Sequence, residues 1–356
     1  MVDFSQYAAP AEEWLEFEKT WKPPVPPPSA TPQEVRDRAN QKSAQFFANV
    51  LGRPETGLKV IDHSVPTIDG AIVPVRIQSP VDVGSTKLPL VISIHGGGFF
   101  LGNLETEDPH CRQLALHTGA AVLNVNYRHA SEWAFPTPVN DVWTVFNWIQ
   151  QHAETYNIDP GRIFFSGVSA GANLAISIAL SALQQQTLKP VRGFILSVLS
   201  VVHPDYFPNE LIRNGKASLE QCANAPIISL PRMRFFTSLY KPDPQHPKFS
   251  PLLLDANAFA GLCPTSFHIA GRDPVRDEGL LLEEKLRSVG IYQTDLLFNK
   301  VQTTLQIYPG LPHAFMSLPT LPSAAKWRQA VQQDLKRYIA ASSGGEPTVN
   351  GSSETH

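Results

Sequence analysis

A serine flanked by two glycines, Gly167-Val168-Ser169-Ala170-Gly171, is the feature that most restricts how this chain can fold. It follows the apolar run Arg162–Ser166 and precedes an Ala- and Leu-rich stretch at 172–180. A strand that turns directly into a helix leaves no room for a β-carbon at position 167 or 171. The serine hydroxyl is then held clear of the sheet, and the N–H groups of the first helical turn point toward the group it attacks. The spacing therefore predicts a nucleophile elbow with Ser169 at its tip.

Apolar runs of strand length alternate with helical stretches along most of the chain. Leu88–Ile94 is continuously apolar, which is typical of a strand buried on both faces, and Asp69-Gly70 marks a hairpin turn. This alternation predicts an α/β fold, a mostly parallel sheet covered by helices on both faces. The predicted strands are Lys59–Val65, Ala71–Gln78, Leu88–Ile94, Ala121–Asn126, Arg162–Ser166, Val191–Val198, Thr265–Ala270 and Thr304–Tyr308.

The first 54 residues do not follow the alternation. Ala11–Trp21 carries aromatic residues among acidic ones and is predicted to be an amphipathic helix. A proline run at 23–28 predicts an extended polyproline segment. The capping box Thr31-Pro32-Gln33-Glu34 then opens a helix that is expected to run to about Val50.

A second interruption, rich in Pro, Phe and Asn, lies at 203–249. It is predicted to hold helices near 209–224 and 229–240 and to cover the sheet edge where open α/β folds place their sites. The predicted organisation is a core formed by 55–202 and 250–341, a cap formed by 1–54 and 203–249, and a disordered tail at 342–356.

Two side chains could activate the serine, which is a poor nucleophile without a base and an orienting carboxylate. Asp273 follows the predicted strand 265–270, and His313 follows the predicted strand 304–308. Both therefore lie at the edge where Ser169 emerges, in the chain order serine, acid, histidine. The sequence predicts a catalytic triad of Ser169, Asp273 and His313.

The loop His95-Gly96-Gly97-Gly98 comes directly after the buried strand 88–94. Consecutive glycines destabilise a chain unless its backbone must approach something closely. Backbone N–H groups of Gly97, Gly98 and Ala170 are predicted to form an oxyanion hole, with His95, Gly96, Gly167 and Gly171 as supporting motif residues. A phosphate-binding loop is excluded, because the run lacks both the Gly-Lys-Ser/Thr ending and G-x-G-x-x-G spacing.

Composition excludes several other classes of protein. A formal net charge of −3 gives no electrostatic reason for binding nucleic acid or an acidic membrane surface. Three widely spaced cysteines suit neither a disulfide framework nor a zinc site, so no metal site is expected. No apolar run is long enough for a membrane span, and the first residues do not resemble a signal peptide, so a cytoplasmic location is expected.

Taken together, these motifs resemble the hormone-sensitive-lipase-like carboxylesterases of the α/β-hydrolases, in their bacterial and fungal types. The resemblance covers roughly 55–340 and also includes Tyr127-Arg128, Phe135-Pro136, Asp273-Pro274 with Asp277-Glu278, and Gly310–Phe315. It implies the α/β-hydrolase fold with an eight-stranded sheet and a helical cap, hydrolysis of small to medium acyl esters, and no cofactor.

Three features depart from the family pattern. Val168 stands where the elbow usually carries Asp, and His129-Ala130-Ser131-Glu132 stands where Leu-Ala-Pro-Glu is usual. Gln293–Lys300 resembles an insertion before the last strand. None of the three removes a predicted catalytic group, but the first two alter the polar surroundings of the elbow.

The leading functional hypothesis is a serine hydrolase that cleaves a small-molecule ester through an acyl-enzyme. An alternative is a tailoring enzyme that uses the same triad for acyl transfer, lactonisation or deacetylation; a ligand receptor is disfavoured because His313 is present. A homodimer is also compatible with the sequence. Substrate choice is expected to depend on one or two aromatic side chains of the cap, drawn from Trp14, Phe17, Trp21, Tyr206, Phe207, Phe235 and Phe236.

Overall fold

The computed structural model describes residues 1–21, 30–81, 84, 86–289 and 301–343. The strands within these ranges are β1 (Leu58–Pro66), β2 (Ile72–Pro80), β3 (Leu88–Ile94), β4 (Ala121–Val125), β5 (Ile158–Val168), β6 (Val191–Ser197), β7 (Thr265–Arg272) and β8 (Thr303–Pro312). These eight strands form one sheet in the order β1-β2-β4-β3-β5-β6-β7-β8. Only β2 runs against its neighbours, which confirms the predicted, mostly parallel α/β sheet.

Helices cover both faces of the sheet, because consecutive residues of the central strands point to opposite sides. The helices are α1 (Glu12–Glu18), α2 (Pro32–Leu51), α3 (Leu104–Thr118), α4 (Thr137–His152), α5 (Ala170–Gln184), α6 (Ser218–Gln221), α7 (Leu230–Tyr240), α8 (Arg276–Ser288) and α9 (Pro322–Ser342). In β3, Val91 packs with α3 and α9 on one face, whereas Leu90 and Ile92 pack with α4, α5 and α8 on the other.

Strand register brings several loops to one edge of the sheet. Ile94 at the end of β3 pairs with Gly167 of β5 on one side and with Val125 of β4 on the other. Since neighbouring parallel strands end together, the glycine loop after β3 and the elbow after β5 lie side by side.

The N-terminal region contains the predicted capping box. The Thr31 N–H donates to Glu34 Oε2 (2.8 Å) and the Glu34 N–H donates to Thr31 Oγ1 (3.2 Å), so α2 begins where the sequence predicts. Helix α1 ends at Glu18, three residues before the predicted Trp21. The predicted polyproline run, the 293–300 insertion and most of the predicted tail lie outside the described residues.

The segment 203–249 lies between β6 and β7 and differs from its prediction in one respect. A helix near 209–224 is wrong: this stretch holds a short 3₁₀ turn, a tight turn closed by the Lys216 N–H on Arg213 O (3.0 Å), and the four-residue α6. The second predicted helix is present as α7. The segment is tied to the core by Tyr240, whose ring stacks on Phe99 with centroids 3.9 Å apart.

Candidate active site

Ser169 sits at a sharp corner between β5 and α5. Its φ is +54°, a conformation that costs energy for a residue with a side chain and that clusters at functional sites. A β-carbon on Gly167 would lie 2.6 Å from the carbonyl oxygen of Gly171, and one on Gly171 would overlap that of Ile94. Both glycines are therefore required by close backbone approach, for the reason anticipated from the sequence.

Ser169, His313 and Asp273 form one continuous hydrogen-bonded chain. His313 Nε2 lies 2.8 Å from Ser169 Oγ, and His313 Nδ1 lies 2.7 Å from Asp273 Oδ2. Asp273 Oδ1 also accepts from the Val275 N–H (3.0 Å), which fixes the carboxylate plane. All three side chains are buried, at 8%, 4% and 1% exposure respectively. The geometry lets the imidazole take the serine proton while the carboxylate holds its tautomer.

The loops that carry the acid and the base are braced by the N-terminal segment. A β-carbon on Gly271 would overlap the carbonyl oxygen of Tyr7, and one on Gly310 would overlap the backbone of residues 9–11. The Ala11 N–H donates to Gly310 O (3.1 Å). Sequence reasoning did not find this contact, because nothing local to either loop indicates its partner.

The glycine loop after β3 lies against the elbow. A β-carbon on Gly96 would come within 2.9 Å of the Val168 carbonyl oxygen. Gly97 and Gly98 have φ of +118° and +62°. In the described part of the chain, the N–H groups of Gly97, Gly98 and Ala170 donate to no protein acceptor. Gly98 and Ala170 line the same cleft as Ser169 and His313, whereas Gly97 is not among the residues that line it.

His95, the first residue of the glycine loop, is buried. Its ring stacks on Tyr127, with centroids 4.4 Å apart, and on His129, at 5.3 Å. Its Nδ1 lies 2.8 Å from Gly96 O, and the Tyr127 hydroxyl donates to His95 O (3.1 Å). Burial lowers the pKa of His95 to about 4 and that of His129 well below its ordinary value, so both rings are neutral. His129, one of the residues that depart from the family pattern, is thus packed against His95 as a neutral ring.

A narrow cleft opens above Ser169. Its walls are mostly apolar, and its cap side is formed by Pro204, Ile228, Met233, Phe236, Thr237 and Phe249. Of the aromatic residues proposed from the sequence, Phe236 lines the cleft, against the backbone of Gly98.

Trp14 is among the candidate aromatic residues that do not line the cleft. It is fully buried in the core cluster on the α3 and α9 side of the sheet, its indole N–H donates to Glu18 (3.0 Å), and its ring packs on Phe17 and Trp21. In the insertion, Tyr206 and Phe235 are exposed and Phe207 is buried in the core.

Glu278, on α8, supports the floor of the cleft. Its Oε2 accepts from the N–H groups of Val201 (2.6 Å) and Val202 (3.1 Å). These two residues directly follow Ser200, which lines the cleft. The side chain is fully buried. Burial raises the pKa of the Glu278 carboxyl to about 8, so at neutral pH it is largely protonated.

In the described ranges, no three His, Cys, Asp or Glu side chains are grouped so that they could hold a metal ion. No helix among these residues has the length and apolar content needed to cross a membrane.

Comparison with known proteins identifies the family. The sequence profile of the alpha/beta hydrolase fold matches residues 91–317, which span the glycine loop, the elbow, Asp273 and His313. The chain belongs to the α/β-hydrolase family. The fold predicted from the resemblance is thereby confirmed, and so is the family that was named.

Individual relatives agree with this assignment. The chain is 32% identical to the versiconal hemiacetal acetate esterase of Dothistroma septosporum, over 67% of this chain and 69% of that protein. The structure of the carboxylesterase EstE1, from a metagenomic library, superimposes with a TM-score of 0.75 at 28% identity, covering 87% of this α/β-hydrolase and 98% of that chain. The structure of vibralactone cyclase superimposes with a TM-score of 0.85 at 26% identity, covering 95% and 97%.

Proposed function

We propose that this α/β-hydrolase is a serine carboxylesterase that cleaves esters of small to medium apolar acyl groups through an acyl-enzyme. The observation that carries the proposal is the continuous chain from Ser169 through His313 to Asp273, with distances of 2.8 and 2.7 Å. Esterases among the relatives support the same reaction. The complete hydrogen-bonded chain also favours an enzyme over a ligand receptor.

The reaction follows from the geometry. His313 takes the proton from Ser169 as the hydroxyl attacks the ester carbonyl, and Asp273 stabilises the imidazolium that forms. The N–H groups of Gly97, Gly98 and Ala170 stabilise the oxyanion, and Gly98 and Ala170 line the cleft itself. His313 then returns its proton to the leaving alcohol. In the second half, it activates a water that releases the acid.

The apolar cleft supports the proposed substrate class. Its lining offers side chains such as Met233 and Phe249 for an acyl or alcohol group, and few polar groups besides those of the reaction. Such walls discriminate by size and shape, about 1–3 kcal/mol per methylene. The acetate ester named for the Dothistroma septosporum relative is consistent with a short acyl group.

The test combines labelling with substitution. A fluorophosphonate should label Ser169 and not Ser200, the other serine of the cleft. Ser169→Ala should lose hydrolysis of p-nitrophenyl acetate by at least about 10⁴-fold. Ser64→Ala, which removes an exposed hydroxyl on β1, is the matched control and should behave as wild type. Labelling of another serine, or a Ser169→Ala enzyme with normal turnover, would contradict the proposal.

A second candidate reaction is intramolecular acyl transfer to give a lactone. The likeness to vibralactone cyclase over nearly the whole chain favours it. The two reactions share the attack on the carbonyl and differ in whether water or a hydroxyl of the same substrate receives the acyl group. Product analysis with hydroxy-acyl esters distinguishes them, since hydrolysis gives the free acid and cyclisation gives the lactone.

Two further expectations belong to this proposal. A cytoplasmic location is supported by Cys111, Cys222 and Cys263, all free thiols in the structure. A homodimer is supported by the position of β8 at one edge of the described sheet, with Leu305 partly exposed there. Light scattering of the purified protein tests the dimer, and fluorescence microscopy of the tagged protein tests the location.

A further inference from the structure

The far end of the glycine loop is held by a side chain of α2. Asn40 donates from Nδ2 to the carbonyl oxygen of Gly102 (2.9 Å), and its Oδ1 accepts from the Gly102 N–H (2.8 Å). One side-chain amide thus pairs with both backbone groups of one residue, which fixes the position and the orientation of that backbone. Asn40 is only 7% exposed, so water competes little for these bonds.

Gly102 in turn rests on the start of the loop. Its φ is +104°, and a β-carbon there would overlap Nδ1 of His95. The same Nδ1 lies 2.8 Å from Gly96 O. The Asn40 contact therefore closes the loop onto the histidine ring from which it begins.

Between these ends the loop is a tight turn. The carbonyl oxygen of Gly97 accepts from the N–H groups of Phe100 (3.1 Å) and Leu101 (2.8 Å). Leu101, which precedes Gly102, is therefore tied to the peptide group that joins Gly97 and Gly98. That peptide group carries the Gly98 N–H, one of the donors proposed for the oxyanion, and the Gly97 N–H lies on the peptide group before it.

Helix α2 makes a second contact with the loop through Arg36, one turn before Asn40. The guanidinium lies over the ring of Phe100, 5.5 Å from its centroid, and donates to Ala130 O (3.0 Å). The Ala130 N–H donates to Phe99 O (2.9 Å). Arg36 also forms an ion pair with Glu132, which is the last residue of the stretch 129–132 that departs from the family pattern.

We infer that Asn40 is a positioning residue for the oxyanion hole: through Gly102 it holds the N–H groups of Gly97 and Gly98 where charge develops in the transition state. This rests on the proposed function. Donors to an oxyanion are effective when they are fixed before the reaction, and a loop with three consecutive glycines does not fix itself. Asn40 does not touch substrate and acts only through the backbone of Gly102.

The first test is Asn40→Ala, compared with wild type and with Asn49→Ala, an exposed asparagine of the same helix. For p-nitrophenyl acetate, Asn40→Ala should lower kcat by about 10- to 100-fold, less than the loss of a whole donor, with little change in KM. The Ki of a trifluoromethyl ketone, which binds as a tetrahedral adduct of Ser169, should rise by the same factor by which kcat/KM falls. Asn49→Ala should match wild type.

Several outcomes would overturn the inference. These are an Asn40→Ala enzyme with wild-type kcat, a loss confined to KM, or a fall in kcat that leaves the Ki unchanged. An inactive, unlabelled wild type would instead show that the proposed function itself fails, and the inference with it. Circular dichroism and the thermal midpoint establish that the compared variants are folded.

Asn40→Asp provides the test if the alanine variant does not fold. A carboxyl group keeps the acceptor for the Gly102 N–H, but only its protonated form can donate to Gly102 O. The ratio of variant to wild-type kcat should therefore be highest at the acid end of the profile and fall as the pH rises. A ratio that is constant across the pH range would contradict the assigned role.

Discussion

Glu278→Gln should make this α/β-hydrolase more stable at neutral pH, although it alters a fully buried side chain that accepts two backbone hydrogen bonds. Glutamine has the shape of a protonated carboxyl group. Its amide oxygen can accept from Val201 and Val202, as Glu278 Oε2 does, without a titratable proton.

The magnitude follows from the raised pKa. In the folded protein burial raises the pKa of Glu278 from 4.5 to about 8, so the folded state keeps a proton that the unfolded state loses. The stabilising contribution of the group is complete below pH 4.5 and is lost as the pH rises toward 8. At about 1.36 kcal/mol per pH unit, the loss reaches about 3 kcal/mol by pH 7.

The assay is urea-induced unfolding, followed by tryptophan fluorescence at several pH values between 4 and 8. The difference in the free energy of unfolding between Glu278→Gln and wild type should increase steadily from pH 4.5 upward, by about 3 kcal/mol at pH 7. Glu220→Gln, at an exposed position on α6, is the control and should show no such increase. A difference that is the same at pH 4 and pH 7 would mean that Glu278 is ionised in the folded protein, and the reasoning from burial would be refuted.

Three other outcomes are expected. The contribution of His95 to the free energy of unfolding should fall by about 3 kcal/mol between pH 6.5 and 4, because its pKa, lowered by burial to about 4, lets only the unfolded state take up a proton; the difference between wild type and His95→Gln in urea series across this pH range checks this. Phe236→Ala should raise kcat/KM for bulky relative to acetyl esters by about tenfold, measured with a p-nitrophenyl ester series. Gly171→Ala should abolish soluble, active enzyme, because its β-carbon would overlap a strand carbonyl oxygen, whereas Gly161→Ala should retain activity.

The parts of the site that could be predicted from sequence are those dictated by local backbone geometry. Ser169 was identified because its turn excludes a β-carbon on either side, and Asp273 and His313 because each follows its own strand at the same sheet edge. Central strands such as β3 were recognised because burial on both faces leaves an unbroken apolar run.

The parts that could not be predicted depend on contacts between distant segments. Asn40 looks like any polar residue of a helix, and its partner Gly102 lies 62 residues away. The cap residues of the cleft lie partly in irregular chain, where no periodicity indicates which side faces inward. Trp14 shows the converse: an aromatic residue in a segment predicted to be part of the cap is fully buried within a core cluster.

The brace formed by residues 7–11 has a consequence for how the protein reaches its native state. Its docking positions at Gly271 and Gly310 are separated from it by about 260 and 300 residues of chain. During synthesis these two contacts cannot form until the last two strands have been made, and the loop closure they require is among the longest in the molecule. The sheet can therefore collapse before the two loops that carry the acid and the base are locked. Refolding should regain secondary structure before it regains reactivity toward a fluorophosphonate, because the brace and the two loops are far apart along the chain and their contacts form late.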